Sequence, residues 1–218
     1  MNNRDIPPIF TILQENKKRW QDSTLESLEK DPFIILTGCI LSLRTKDPLT
    51  LVVAKRLLGI ARTPEQILQI PEDTLSEIIY PVGFYRRKAR TLRNIAQILW
   101  EQHQGKVPDT LDELLELPGV GRKTANLVIT VAFGKPGISV DTHVHRIVNR
   151  WGYVNTPTPD KTEMALREKL PLEYWIPVNS LLVLFGQNVC LPRYPRCPIC
   201  PLKPFCEQIG VNSGKPAS

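Results

Sequence analysis

Leu114-Leu115-Glu116-Leu117-Pro118-Gly119-Val120-Gly121-Arg122-Lys123-Thr124-Ala125-Asn126 joins two helix patterns through one tight turn. Two glycines open backbone angles closed to other residues and let a ligand approach the main chain. The second helix starts directly after the turn, so its free N–H groups and positive dipole end favour a phosphate. A helix–hairpin–helix of this type grips a DNA backbone without reading base sequence. The plain alternative is an αα-hairpin that uses glycine for connection alone. The whole Leu-Pro-Gly-Val-Gly string followed by Arg and Lys is far more specific than a pair of glycines. It marks Gly119, Val120, Gly121 and Arg122 as DNA contacts.

Lys123 falls in the first turn of the second helix. A surface lysine is the plain reading. The positive end of the dipole, however, disfavours an ammonium there, and a neutral amine can form a Schiff base with an aldehydic sugar. A partner carboxylate follows in Ser139-Val140-Asp141-Thr142-His143-Val144-His145-Arg146. Asp141 precedes a helix, where an N-cap is worth about 1 kcal/mol. Its chemical reading is a carboxylate that stabilises positive charge on a sugar or moves a proton. His143 and His145 are two residues apart and do not share a helix face, so they read as structural or phosphate contacts rather than metal ligands.

The cysteines carry a second signal. Four of the five follow the spacing Cys190-x6-Cys197-x2-Cys200-x5-Cys206, among prolines that turn the chain tightly. Such a pattern points to one metal centre rather than a disulfide framework. A structural zinc site competes with an iron–sulfur cluster: zinc sites usually show two Cys-x2-Cys pairs and this chain has one, while a four-cysteine cluster tolerates uneven spacing. Arg193, Arg196 and Lys203 lie between the ligands, either offsetting thiolate charge or presenting cations to phosphates. Cys39 stands apart in an apolar stretch and reads as a core residue.

The rest of the 218 residues frames these motifs. With 28 Lys+Arg against 22 Asp+Glu the formal net charge is +6, which hints at an anionic partner. No run approaches the roughly 18 apolar residues of a membrane span, and the first residues lack the order of a signal peptide, so a cytoplasmic protein is expected. Helical spacing dominates throughout. Helices are expected near Ile9–Leu13, over Phe33–Leu43, after Asp47-Pro48 with Leu51, Val52, Leu57 and Leu58 inward, and after Thr63-Pro64. Others are expected over 72–79, 88–103, 110–116, 122–133, 143–151, 161–170 and 173–183. The 20 prolines punctuate these helices, and the residues from Gly210 onward read as a frayed tail. The fold class is all-α, with about ten short helices.

Three motifs in this order, Leu117 to Ala125, Val140-Asp141-Thr142-His143 and the cysteine spacing, resemble the endonuclease III family. These are base-excision-repair DNA glycosylase/AP lyases of the helix–hairpin–helix superfamily. Asp31-Pro32-Phe33, Leu41-Ser42 and Gly83-Phe84-Tyr85 extend the resemblance over nearly the whole chain. It implies two lobes: six helices over 22–134, with the helix–hairpin–helix at about 111–133, and a cluster lobe from 1–21 plus 135–218 with its loop at 190–206. It implies a monomer that removes oxidised pyrimidines from double-stranded DNA, whose damaged nucleotide is flipped into a cleft. Lys123 matches the nucleophile, Asp141 the essential carboxylate, and Cys190, Cys197, Cys200 and Cys206 the ligands of a [4Fe-4S] cluster. Arg193 and Arg196 would face DNA from the cysteine loop. Arg44 stands where the family often has Gln, a residue that fills the gap left by the flipped nucleotide. Phe84 stands where an aliphatic wedge is common. Both departures bear on lesion preference. Tyr85-Arg86-Arg87-Lys88 either faces phosphate or is a solvated helix start. A mismatch glycosylase without lyase activity and a DNA-binding protein without catalysis are the alternatives. Lys123 with Asp141 weighs against both.

Overall fold

The computed structural model describes residues 1–20 and 28–211. Eleven α-helices are found among them: α1 (Ile6–Lys17), α2 (Pro32–Ser42), α3 (Asp47–Leu58), α4 (Pro64–Gln69), α5 (Glu72–Ile79), α6 (Tyr85–His103), α7 (Leu111–Glu116), α8 (Arg122–Ala132), α9 (Thr142–Arg150), α10 (Pro159–Lys169) and α11 (Pro177–Asn188). The other regular elements among the described residues are short 3-10 turns. The chain divides into two compact units, a central one of Ser23–Lys135 and a terminal one of Met1–Asp22 with Pro136–Ser218. The boundary expected at residues 21–22 and the tail beyond residue 211 lie outside the described residues.

The central unit is organised by α2. Its nine residues from Phe33 to Leu41 are all buried, and α3, α6 and α8 pack against it. A helix apolar on every face requires cover on every face. The start of α2 shows how these helices are punctuated. Asp31 Oδ1 accepts from the Phe33 and Ile34 N–H groups at 2.9 and 3.0 Å, and Pro32 occupies the first turn, where no N–H is required. Thr63, Thr110 and Thr158 cap α4, α7 and α10 in the same way. Among the described residues the central unit has seven α-helices, with Pro71 between α4 and α5 as the N-cap of the latter.

Three expectations shift. On α3, Leu57 and Leu58 are buried and Leu51 packs against the core as expected, but Val52 is 65 % exposed and Thr50, Val53 and Ala54 are buried beside them. Lys46, not Asp47, is its N-cap, and it makes no side-chain cap hydrogen bond. Helix α6 begins at Tyr85 rather than Lys88, after Phe84 in the left-handed region. Helix α11 begins at Pro177 and runs to Asn188, because residues 172–174 form a separate 3-10 turn before it.

In the terminal unit, α11 lies against both α1 and α9, and α10 against α9. Ile6, Ile9, Phe10 and Leu13 of α1 join Val144, Ile147 and Val148 of α9 and Leu181, Leu182 and Phe185 of α11 in one apolar core. Burying each such side chain is worth about 1.5–3 kcal/mol.

Neighbouring valines on α3 make a direct test of which side chain faces the core. Val53→Ala, next to Val52 on α3 and 1 % exposed, should cost about 1–3 kcal/mol in urea unfolding. Val52→Ala should change stability by less than about 0.5 kcal/mol.

Candidate functional site

Helices α7 and α8 form the hairpin, and its two glycines do different work. Gly119 has φ +75°, and a Cβ there would lie 3.1 Å from Thr91 Cγ2, so conformation and space both require glycine. Gly121 has φ −100°, an extended angle open to any residue. A Cβ on Gly121 would meet nothing within 4 Å. As the N-cap of α8, Gly121 leaves a bare backbone beside the first-turn N–H groups. At Val120 the side chain is buried in the core and the N–H donates to Leu117 O at 3.1 Å.

Lys123 is the second residue of α8 and is half-buried. Arg122, beside it, is half-buried as well. The positive charge of Lys123 acts on the thiol of Cys39 on α2. Burial still dominates there and pushes that thiol up to about 11. Cys39 is a neutral core residue at neutral pH, as its apolar setting implies.

A second group of residues in the same unit gathers at two chain turns. Arg44 follows α2 and Phe84 precedes α6, both in the left-handed region with φ of 53° and 58°. The Arg44 guanidinium sits over the Phe84 ring at 5.5 Å, and both side chains are exposed. They border a cavity of about 500 Å³ whose lining includes Leu43, Arg87, Thr91 and Gly119. Arg86 is exposed and lies over Tyr85 at 5.4 Å. Lys88, expected to face phosphate or solvent, is instead buried. Its Nζ donates to Leu41 O at 2.7 Å and to Thr45 Oγ1 at 2.9 Å. Burial holds its pKa down to about 8.

Asp141 belongs to the terminal unit and is the N-cap of α9. Its Oδ1 accepts from the His143 and Val144 N–H groups, both at 2.8 Å. The capping role is therefore real, and it uses one of the two carboxylate oxygens. His143 Nδ1 lies 3.1 Å from Arg146 Nη2, and the ring fills space left by Gly186. His145 Nδ1 pairs with Thr162 Oγ1 at 2.6 Å. These are structural contacts for both histidines.

The four clustered cysteines line one cavity together with Arg150, Trp151, Phe185 and Val189. None is in a disulfide. Among the described residues no three His, Cys, Asp or Glu side chains converge closely enough to hold a metal ion. Arg193, Arg196 and Lys203 are exposed along the loop.

Arg146 and Arg150 were not singled out from sequence. Arg150 is buried and its Nη1 donates to Leu191 O at 2.7 Å and to Cys190 Sγ at 3.4 Å, while Nη2 donates to Pro192 O at 2.7 Å. Arg146 Nη2 donates to Cys190 O at 2.8 Å. The legible signal was two arginines four apart on one face of α9, both turned toward the cysteine segment. For Lys88 the signal was its place on the stripe 88, 92, 95, 99, whose other members are core residues of α6.

Residues 37–172 match the model of the HhH-GPD superfamily of base excision DNA repair proteins. Endonuclease III of Thermotoga maritima is 48 % identical over 179 residues, which cover 82 % of this chain and 84 % of that protein. Several plant and animal relatives are longer, and the chain spans 47 % to 58 % of their length. Among solved structures, a non-covalent endonuclease III–DNA complex superposes with a TM-score of 0.86 at 34 % identity, covering 95 % of this chain and 96 % of that one. A trapped endonuclease III–DNA covalent intermediate superposes with a TM-score of 0.82 at 37 % identity, covering 93 % and 95 %. A glycine-gated hairpin, a lysine in its second helix and agreement along most of both chains meet in one conclusion: the chain belongs to the endonuclease III family of the HhH-GPD superfamily.

Proposed function

We propose that this protein is a bifunctional DNA glycosylase/AP lyase of base-excision repair that acts on oxidised pyrimidines in duplex DNA. The observation that carries the reading is Lys123 in the first turn of α8, directly behind the bare backbone of Gly121. The similarity to an endonuclease III captured as a covalent DNA intermediate supports a covalent mechanism.

The hairpin backbone at Gly119 and Gly121 receives a phosphate, with Arg122 adding charge, and sets the register of the strand. The Lys123 amine attacks C1′ of the damaged nucleotide. The C1′–N bond breaks and the base leaves with the bonding pair. Ring opening gives an iminium between Nζ and C1′. Loss of a C2′ proton then expels the 3′ phosphate oxygen by β-elimination, which cuts the strand 3′ to the lesion. Asp141, through the carboxylate charge that remains while Oδ1 caps α9, stabilises the positive sugar and moves protons.

Cys190, Cys197, Cys200 and Cys206 would hold a [4Fe-4S] cluster. The donor set fits: four cysteines share one cavity, and the Arg150 guanidinium and the Gln208 N–H point donors at Cys190 and Cys206 sulfurs, at 3.4 and 3.3 Å. Arg146 Nε is buried beside them with no hydrogen-bond partner, an orphan cationic donor suited to an anionic centre. The cluster would supply a rigid cross-link that presents Arg193 and Arg196 to DNA, not chemistry at the sugar.

Borohydride should trap a covalent adduct with duplex DNA carrying an oxidised pyrimidine. Lys123→Ala should lower trapping and cleavage by at least ~10³-fold; undiminished trapping would reject Lys123 as nucleophile. At Asp141, the cap and the charge can be separated. Asp141→Asn keeps an oxygen acceptor and should unfold as wild type, yet lose base release. Asp141→Ala should lose base release and about 1 kcal/mol of stability. If the Asn variant retains full activity, the carboxylate is a cap alone. Purified protein should be yellow-brown with iron and acid-labile sulfide in equal amounts; a colourless protein fully loaded with zinc would exclude the cluster.

A further inference from the structure

Two turns that are 38 residues apart in sequence are locked together in the central unit. After α2 ends at Ser42, the chain passes through Leu43, Arg44 and Thr45 before α3. The other turn is Val82-Gly83-Phe84, leading into α6. Thr45 Oγ1 accepts from the Gly83 N–H at 3.1 Å and from Lys88 Nζ at 2.9 Å. Its own hydroxyl proton is within reach of Leu43 O at 3.4 Å. Lys88 Nζ also takes Leu41 O, a carbonyl in the last turn of α2, at 2.7 Å. The backbones touch as well: a Cβ on Gly83 would lie 2.7 Å from Arg44 O, so only glycine permits this approach.

The lock sits directly beneath two residues in unfavourable backbone states. A left-handed angle is unfavourable for a non-glycine residue, and both Arg44 and Phe84 adopt one. Such angles persist where surrounding contacts over-determine them, and they cluster at ligand clamps. An ammonium buried against two neutral oxygens is itself costly. Three costs converge on one small region, and what they achieve is a fixed presentation of an exposed guanidinium over an exposed aromatic ring. Phe84 is 60 % exposed. An aromatic face stacks on any nucleobase, and an arginine fork matches base edges and phosphates. The ligand chemistry is a nucleobase left without its partner.

We propose that Lys88, acting through Thr45, is a positioning residue that holds Arg44 and Phe84 as one rigid probe of the base opposite the damaged nucleotide. This rests on the DNA-repair reading above and adds to it a source of opposite-base discrimination. Lys88 touches neither base nor sugar in this role. It removes the ordering cost that two independent loops would otherwise meet on binding. Probe and tether act as a unit, so removing either should produce the same defect.

The test uses full-length protein and one oxidised pyrimidine placed opposite each of the four bases, with a single-stranded abasic oligonucleotide as the substrate that has no opposite base. Thr45→Val removes the hydroxyl at nearly constant shape, Thr45→Ser restores it, and Lys88→Met removes the donors. Both Thr45→Val and Lys88→Met should raise KM on duplex DNA by ~10-fold more than on the abasic single strand and flatten the ratio of kcat/KM among opposite bases. Thr45→Ser should keep that ratio. Lys88→Met combined with Arg44→Ala should be no worse than Arg44→Ala alone in this ratio. The tether is overturned if Thr45→Val, with wild-type thermal unfolding, keeps the wild-type ratio, or if the Lys88 and Arg44 effects simply add. It is also overturned if duplex and single strand lose activity equally, which marks a general structural defect. Wild-type protein that cuts neither substrate overturns the DNA-repair reading and the tether together, a result distinct from the others.

Discussion

The burial of α2 governs the central unit. Nine consecutive buried residues, Phe33 to Leu41, cannot be covered by one neighbour, and the helix is enclosed by α3, α6 and α8. Enclosure fixes more than a core. It brings Cys39 within the electrostatic reach of Lys123 at the start of α8. It places the Leu41 carbonyl where the Lys88 ammonium can take it. The end of α2 therefore delivers the Arg44 turn against the start of α6. The residues proposed to handle DNA in this unit are attached to the ends of helices whose middles are packed around one apolar rod, and that packing sets their positions.

The terminal unit solves a different problem. Its cysteine segment has little regular structure and is too polar at its edges to hold shape by burial. The two arginines of α9 brace it instead, through Leu191 and Pro192 carbonyls at 2.7 Å and the Cys190 carbonyl at 2.8 Å. Charge-assisted bonds to backbone oxygens are among the stronger polar contacts a protein makes. Asp141 starts the same helix, so the cap that begins α9 and the arginines that brace the loop are parts of one element. The cap at Asp141 and the charge proposed to act in chemistry are separable, because an amide can cap but cannot carry the charge.

Local signals in the sequence were read well where one residue's own chemistry decides. Thr63-Pro64 and Thr110 begin helices because their caps need no distant partner, whereas at Asp47-Pro48 the N-cap is one residue earlier, at Lys46. The hairpin string, the cysteine spacing and the carboxylate before a helix were legible for the same reason. Reading weakened where a residue's role depends on what lies across from it. Val52 looked apolar and inward, but the face of α3 is set by its neighbours and leaves it exposed. Lys88 stood in a run of three basic residues and looked like its neighbours, yet it alone points inward. The two hairpin glycines looked equivalent, and only Gly119 has a positive φ.

By itself, then, the sequence determined an all-helical chain, the family it belongs to, and which residues have the chemistry for a nucleophile, a carboxylate and a four-thiol centre. Those are properties of side chains and of short spacings, and they survive without knowledge of the rest of the molecule. The tertiary structure decided which cations are available at the surface and which are spent inside. Thr45, Gly83 and Lys88 meet only because α2 and α6 cross at their ends, and hydrogen bonds between residues about forty positions apart leave no periodic trace in a sequence.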